Sequence, residues 1–152
     1  MHPVYRKALG GTVMGCGLVL GAMLAQAELA PAVYKQMQDQ APEVLRILAH
    51  SVDISEVTRA YGSPGTKISG TKITTNVQIR ALVEGVGRTA TALKSGDIIT
   101  VRYTVITYEP GPPPPGPHSA PILKPGEKAR AFLKKEGDAY VLAALGESLL
   151  RE

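Results

Sequence analysis

Two histidines lie beyond the first thirty residues, His50 and His118, and they are the first candidates for catalysis or metal binding. A zinc site requires three or four ligands, often with two of them closely spaced. These histidines are far apart in the chain, and no cysteine follows Cys16. The sequence therefore predicts no metal site and no cofactor. We expect His50 to be an edge or half-buried residue and His118 to be a loop residue.

The segment Gly116-Pro117-His118-Ser119 places a serine directly beside a histidine. A Ser-His-Asp site needs its serine on a defined elbow and its base held by an orienting acid. The chain has no Gly-x-Ser-x-Gly motif, and neighbours in a proline-rich loop need not face each other. No glycine-rich phosphate motif follows a predicted strand. We therefore predict no catalytic residues and a protein that is not an enzyme.

Arginines on predicted strands are the first candidate binding residues. Arg80, Arg102 and Arg130 lie in strands whose neighbouring positions are apolar. If their faces adjoin, they form a mildly basic surface that suits an acidic partner. We favour ordinary polar decoration of a sheet, with the binding surface as the alternative.

A proline-rich segment, residues 109–125, supplies the other candidates: Pro112, Pro113, Pro114 and Pro115. Proline fixes φ and has no N–H, so this segment cannot be a central strand. Polyproline II segments bind partners readily because they lose little entropy. Stiff proline segments also serve as plain spacers. We favour the spacer role, with partner recognition as the alternative.

The first 27 residues have the features of an export signal. Arg6 and Lys7 precede an uncharged, largely apolar stretch over residues 8–27, which ends in Ala25-Gln26-Ala27. This pattern predicts cleavage after Ala27 and a periplasmic or secreted protein with no membrane span after cleavage. Two alternatives remain: residues 8–27 stay as a membrane anchor, or Cys16 carries a lipid.

Composition limits the remaining choices. The 152 residues suffice for one domain, with 44% hydrophobic and 20% charged residues. The chain has 17 basic and 13 acidic residues. Cleavage would remove two basic residues and no acidic one, which leaves a net charge near +2. This small excess gives no argument for nucleic acid binding.

Alternating apolar residues predict a β-rich domain over residues 43–146, followed by a tail at 147–152. Apolar residues recur at every second position in residues 75–83 and 99–105, which is typical of half-buried strands. Residues 44–57 fit a strand or a helix; we favour a strand because the downstream strands need a partner. Residues 28–42 are predicted to form a short helix or a tether.

Further turns and strands complete this prediction. Gly85 and Gly87 suggest a bulge at the end of a strand. Glu136-Gly137-Asp138 is predicted to be the turn of a final strand pair. The sequence Leu-Lys-x-Gly-acid occurs at residues 93–97 and again at 123–127. We interpret it as one turn chemistry used twice, with a duplicated half-domain as the alternative.

The order of these segments resembles the netrin-like modules, a class that includes the tissue inhibitors of metalloproteinases. The resemblance covers residues 75–145: a strand, a Leu-Lys-x-Gly-Asp turn, a strand, a loop with a second glycine turn, and a closing hairpin. It implies a five-stranded barrel of the oligonucleotide/oligosaccharide-binding (OB) type. The inhibitors depend on disulfides and an amino-terminal cysteine. Residues 28–152 contain no cysteine, so metalloprotease inhibition is not expected.

The sequence thus predicts an all-β protein, a small five-stranded OB-like Greek-key barrel with a short N-terminal helix. We expect a bacterial envelope protein that acts as a non-enzymatic binding or accessory module, whose partner is another envelope or secreted protein. The alternative is a small enzyme or carbohydrate-binding domain with a carboxylate site on the barrel face. A concave pocket with two or more inward carboxylates would favour this alternative, and a flat basic face would favour the module.

Overall fold

The computed structural model describes residues 29–62, 69–110 and 116–152. The predicted export signal, Cys16 and the prolines at residues 112–115 lie outside the described residues. Within the described ranges, no helix is both long enough and apolar enough to cross a membrane.

One helix and six strands form the described fold, and the helix comes first. Helix α1 spans Pro31–Gln40, with a proline in its first turn. The strands are β1 (Glu43–Gly62), β2 (Ser69–Arg88), β3 (Ile98–Glu109), β4 (Lys128–Glu136), β5 (Ala139–Leu142) and β6 (Leu149–Arg151). A 3-10 helix over Leu145–Ser148 precedes β6.

Five strands close into a ring, which confirms the predicted OB-like barrel. The strand order is β1-β2-β3-β5-β4, and β4 pairs back with β1. The β3–β5 contact is parallel and consists of one bridge, Val101 to Tyr140. The other pairings are antiparallel. Strands β1, β2 and β3 extend past this ring as a three-stranded sheet, since β1 pairs with β4 only from Glu43 to Leu48.

The barrel core consists of the apolar residues that alternate with polar ones in the sequence of β2 and β3. Inward residues of β2 and β3 are buried: Val77, Ile79, Ala81 and Val83 on β2, and Ile99, Val101, Tyr103 and Val105 on β3. Because successive side chains on a strand point to opposite faces, the intervening polar residues lie outside.

Irregular pairing between β1 and β2 interrupts the alternation of side chains along β1. The register shifts between Ala49 and Ser51, so His50 is an extra residue and is exposed. Side chains that point into the barrel have odd residue numbers before His50 and even residue numbers after it, so the alternation along β1 is broken at this residue. Further shifts occur opposite Gly85 and Gly87, in agreement with the predicted bulge.

The N-terminal helix packs near the end of the chain. Tyr34 of α1 is buried, and Met37 packs on a small cluster that includes Phe132. The segment predicted as a tail is ordered instead: Leu149–Arg151 forms β6 and pairs with β4. This correction concerns a three-residue strand, which is too short to display a period in sequence.

Candidate functional site

A groove of about 850 Å³ lies on the outer face of the β1-β2-β3 sheet. The loop at residues 117–120, the end of β5 and the start of the 3-10 helix form its other wall. Its lining residues are Asp53, Ile54, Ser55, Asn76, Val77, Gln78, Arg102, Tyr103, Thr104, Ile106, Pro117, His118, Ser119, Ala120, Val141, Leu142, Leu145 and Gly146.

A first row of polar side chains crosses the three strands at the centre of the groove. Asp53 lies opposite Gln78, and Gln78 lies opposite Arg102. The Arg102 Nε–H donates to Gln78 Oε1 at 2.9 Å, and Nη1 donates to Asp138 Oδ1 at 3.1 Å. Because Arg Nε–H can only donate, the Gln78 amide oxygen must face it. The Gln78 NH₂ group is then directed away from Arg102.

A second polar row lies one pleat further along the same face. Ser55 lies opposite Asn76, and Asn76 lies opposite Thr104. The Thr104 hydroxyl donates to Asn76 Oδ1 at 3.2 Å. This contact orients the Asn76 amide in the same sense as that of Gln78. Two amide NH₂ groups on one strand are therefore available as donors to a ligand.

Exposed aliphatic side chains border these polar rows. Ile106 is 37% exposed and Leu145 is 41% exposed. They belong to β3 and the 3-10 helix, so they come from two different elements of the groove. Large aliphatic residues that remain open to water beside hydrogen-bonding groups are typical of a ligand site.

The wall opposite β3 is held by His118. Its Nε2 contacts Glu147 Oε1, and its ring lies 5.0 Å from the Tyr34 ring of α1, centroid to centroid. The neighbouring Ser119 does not complete a catalytic pair here: its Oγ accepts a long hydrogen bond, 3.5 Å, from Ile106 N. His118 thus ties the wall to α1 and to the 3-10 helix, and it is a loop residue as predicted.

Tyr103 lies beneath the groove, with its hydroxyl directed into the protein. The hydroxyl donates to the Pro121 carbonyl at 2.8 Å, and the residue is 9% exposed. Burial raises the pKa of Tyr103 to about 12, against smaller lowering effects of the Leu123 main chain and the Arg151 charge. The phenol is therefore neutral at physiological pH and serves as a structural donor.

The predicted arginines fall into two places. Arg80 lies opposite Thr100, and Arg102 lies two residues further along β3, so these two arginines are diagonal neighbours on the outer face. Arg130 lies on β4, opposite Arg46 of β1, with its guanidinium 5.4 Å from the centre of the Phe132 ring. One continuous basic face through all three is therefore not formed, because β1 separates β4 from β2.

Carboxylates are sparse in the groove. Asp53 is the one carboxylate among its described lining residues, and the described residues contain no group of three or more His, Cys, Asp or Glu that could hold a metal ion. The groove is concave, as the carbohydrate or enzyme alternative requires, but its described lining residues do not include the pair of carboxylates that would favour this alternative over a binding module.

The rest of the groove could not be read from the sequence. Asn76, Gln78 and Thr104 are polar residues of ordinary strands, and only the β1-β2-β3 register brings them into rows. Leu145 and His118 join them through the path of the chain after β3. The alternation of polar residues in β2 and β3 was the one available signal, since it placed them on the outer face.

The chain matches no protein-family model, no curated protein and no solved structure. The five-strand ring agrees with the barrel that the netrin-like resemblance implies. Kinship with that class stays a prediction.

Proposed function

We propose that this chain is an exported bacterial envelope protein that acts as a non-enzymatic binding module, and that the groove is its binding surface. The observation that carries the proposal is the pair of ordered polar rows in an open groove. Six polar side chains line the β1-β2-β3 side: Asp53, Ser55, Asn76, Gln78, Arg102 and Thr104.

The arrangement suits binding because part of the side-chain ordering that a ligand requires is already present in the folded protein. Arg102 holds Gln78, and Thr104 holds Asn76, so these side chains lose less freedom when a ligand arrives. The groove volume, about 850 Å³, lies within the usual range of ligand sites, about 300–1,000 Å³. A segment of another envelope or secreted protein is the partner that we propose.

Export is the second part of the proposal. It rests on Arg6 and Lys7, the uncharged stretch at residues 8–27 and the small residues at its end. The intact mass of protein purified from the envelope should match a chain that begins at Glu28. A mass that includes residues 1–27 would favour the retained anchor, and added lipid mass at Cys16 would favour the lipoprotein.

Cross-linking tests the groove as the binding surface. A photo-reactive amino acid replaces Gln78 in one variant and Arg130 in another, and both proteins are irradiated in the producing cells. We expect adducts at position 78 and few at position 130. Adducts at position 130 alone would move the binding surface to the Arg46–Arg130 face, and adducts at neither position would contradict a binding role for both faces.

A further inference from the structure

We propose that the groove takes an extended peptide segment in which an acidic side chain lies next to an aliphatic one. This inference rests on the proposed function and specifies the chemistry of its ligand. Three independent features of the groove support it: the free amide groups, the charge at Arg102 and the exposed aliphatic side chains.

The amide groups select a ligand that is rich in acceptors. The oxygens of Gln78 and Asn76 accept from Arg102 and Thr104, which leaves the NH₂ groups as the free ends. Each NH₂ group can donate two hydrogen bonds. The carbonyls of an extended peptide recur along its length and match such a row of donors.

The charge of the groove adds an acidic preference on the β3 side. Arg102 is half exposed, and its ion pair with Asp138 joins side chains that are 49% and 82% exposed. Such exposed pairs contribute little to stability, so a ligand carboxylate can readily replace Asp138. Arg80, the diagonal neighbour of Arg102, adds a second positive charge on the same face.

The aliphatic side chains favour a peptide over a saccharide. Sugars stack on exposed aromatic rings, and Tyr103, at 9% exposure, is the one Phe, Tyr or Trp residue among the described lining. Ile106 and Leu145, by contrast, both line the groove and offer exposed aliphatic surface. An aliphatic side chain placed between them would be removed from water while the neighbouring carboxylate meets Arg102.

Selection from a random octapeptide display library tests the inference on the purified full chain. We expect enriched sequences to share an acidic residue beside Val, Leu or Ile. Arg102→Glu should reverse the acidic preference to a basic one and weaken each original acidic peptide by at least about tenfold, because like charges then face each other. Recovery of binding by the matching Lys peptide would show that the variant is folded.

Arg130→Glu is the matched control, since it reverses an exposed arginine on the other face and should leave the selected sequences unchanged. An acidic preference that survives Arg102→Glu would overturn the inference, as would the absence of enrichment. If position-78 cross-links persist without any peptide preference, the groove binds another class of ligand, and the proposed function survives while this inference fails. Binding of neutral oligosaccharides that disappears in Asn76→Ala would likewise contradict this inference and leave the proposed function intact.

Discussion

The main-chain N–H of Gly126 donates to the carbonyl of Ala49 at 2.8 Å, and Ala49 N–H donates in return to the Glu127 carbonyl at 2.9 Å. Gly96 and Asp97 form the same two bonds with Val83, each at 2.8 Å. The two Leu-Lys-x-Gly-acid segments thus fasten β1 and β2 to the turns that begin β4 and β3. This shared geometry agrees with one turn chemistry used twice.

The acidic residue of each segment completes its turn. Asp97 Oδ2 accepts from Lys94 N at 2.7 Å, and Glu127 Oε2 accepts from Lys124 N at 2.8 Å. The glycines have φ values of +98° at Gly96 and +87° at Gly126, where a side chain would be strained. Both turns therefore use glycine at the position that needs a positive φ.

Replacing either turn glycine by alanine should lower stability through backbone strain alone. A Cβ atom added at Gly96 or Gly126 would meet no atom within 4 Å. We expect a loss of about 1–2 kcal/mol for each variant in urea unfolding. Gly85→Ala is the control: its φ is not in the left-handed region, and the nearest atom to its added Cβ is 3.7 Å away. Equal stability of all three variants would contradict this prediction.

Glu43 is fully buried. We expect its side chain to stabilise the fold by filling space and by accepting hydrogen bonds. Its Oε1 accepts from Ala90 N at 3.2 Å and from the Thr91 hydroxyl at 2.9 Å. The Thr91 hydroxyl also lies 2.8 Å from the Tyr140 hydroxyl. Since Thr91 has one proton to give, Tyr140 is the donor of that second bond.

Glu43→Gln keeps the acceptor but places an NH₂ group where Oε2 has no hydrogen-bond partner among the described residues, so we expect a loss of about 1–2 kcal/mol in the unfolding free energy. Glu43→Ala removes that acceptor and leaves a cavity, and we expect a loss of about 2–4 kcal/mol. Glu136→Ala, at an exposed position of β4, is the control. An Ala variant as stable as the unchanged protein would contradict this prediction.

Tyr103 should make the protein sensitive to alkali. Its pKa rises from 10.0 to about 12 in the folded protein, so above pH 10 the hydroxyl ionises first in the unfolded chain. Stability should then fall as pH rises from 10 towards 12, by about 2–3 kcal/mol in total from this group. Below pH 10 both states keep the proton, and Tyr103 adds no pH dependence.

Urea unfolding of Tyr103→Phe between pH 8 and pH 12 measures this contribution. At pH 8 the variant should lose about 1 kcal/mol with its hydrogen bond to Pro121, and its alkaline decline should be shallower than that of the unchanged protein. Tyr108→Phe should retain the full decline. If the unfolding free energies of the Tyr103 variant and of the unchanged protein fall in parallel with pH, Tyr103 is not the cause of the alkaline loss of stability.

The fold was more accessible from the sequence than the groove was, for a physical reason. Alternation is local, so Val77, Ile79 and Val101 could be placed in the core from their spacing alone. The place of each strand around the ring, by contrast, depends on contacts between distant parts of the chain. Arg102 and Arg130 both alternate with apolar residues on their strands, but the strand order places them on different faces of the barrel. Leu145 adds a second obstacle, since it joins the groove through a 3-10 helix that has no period to detect.

The wall of the groove depends on the absence of a side chain at Gly146. A Cβ atom added there would overlap the His118 carbonyl and lie 2.6 Å from His118 Cδ2. Because the clash includes main-chain atoms, the loop at residues 117–120 must move away from the 3-10 helix. Gly146→Ala should therefore cost about 1–3 kcal/mol of stability and displace one wall of the groove.

Binding measurements should separate this displacement from simple destabilisation. We expect Gly146→Ala to weaken all library peptides, because the wall itself shifts. Leu145→Ala keeps the wall and should remove only the preference for an aliphatic residue. Gly126→Ala, with a similar loss of stability at a turn outside the groove, should bind as the unchanged protein does. If Gly126→Ala weakens peptide binding as much as Gly146→Ala, the effect follows stability rather than the position of His118, and the wall has no separate part in recognition.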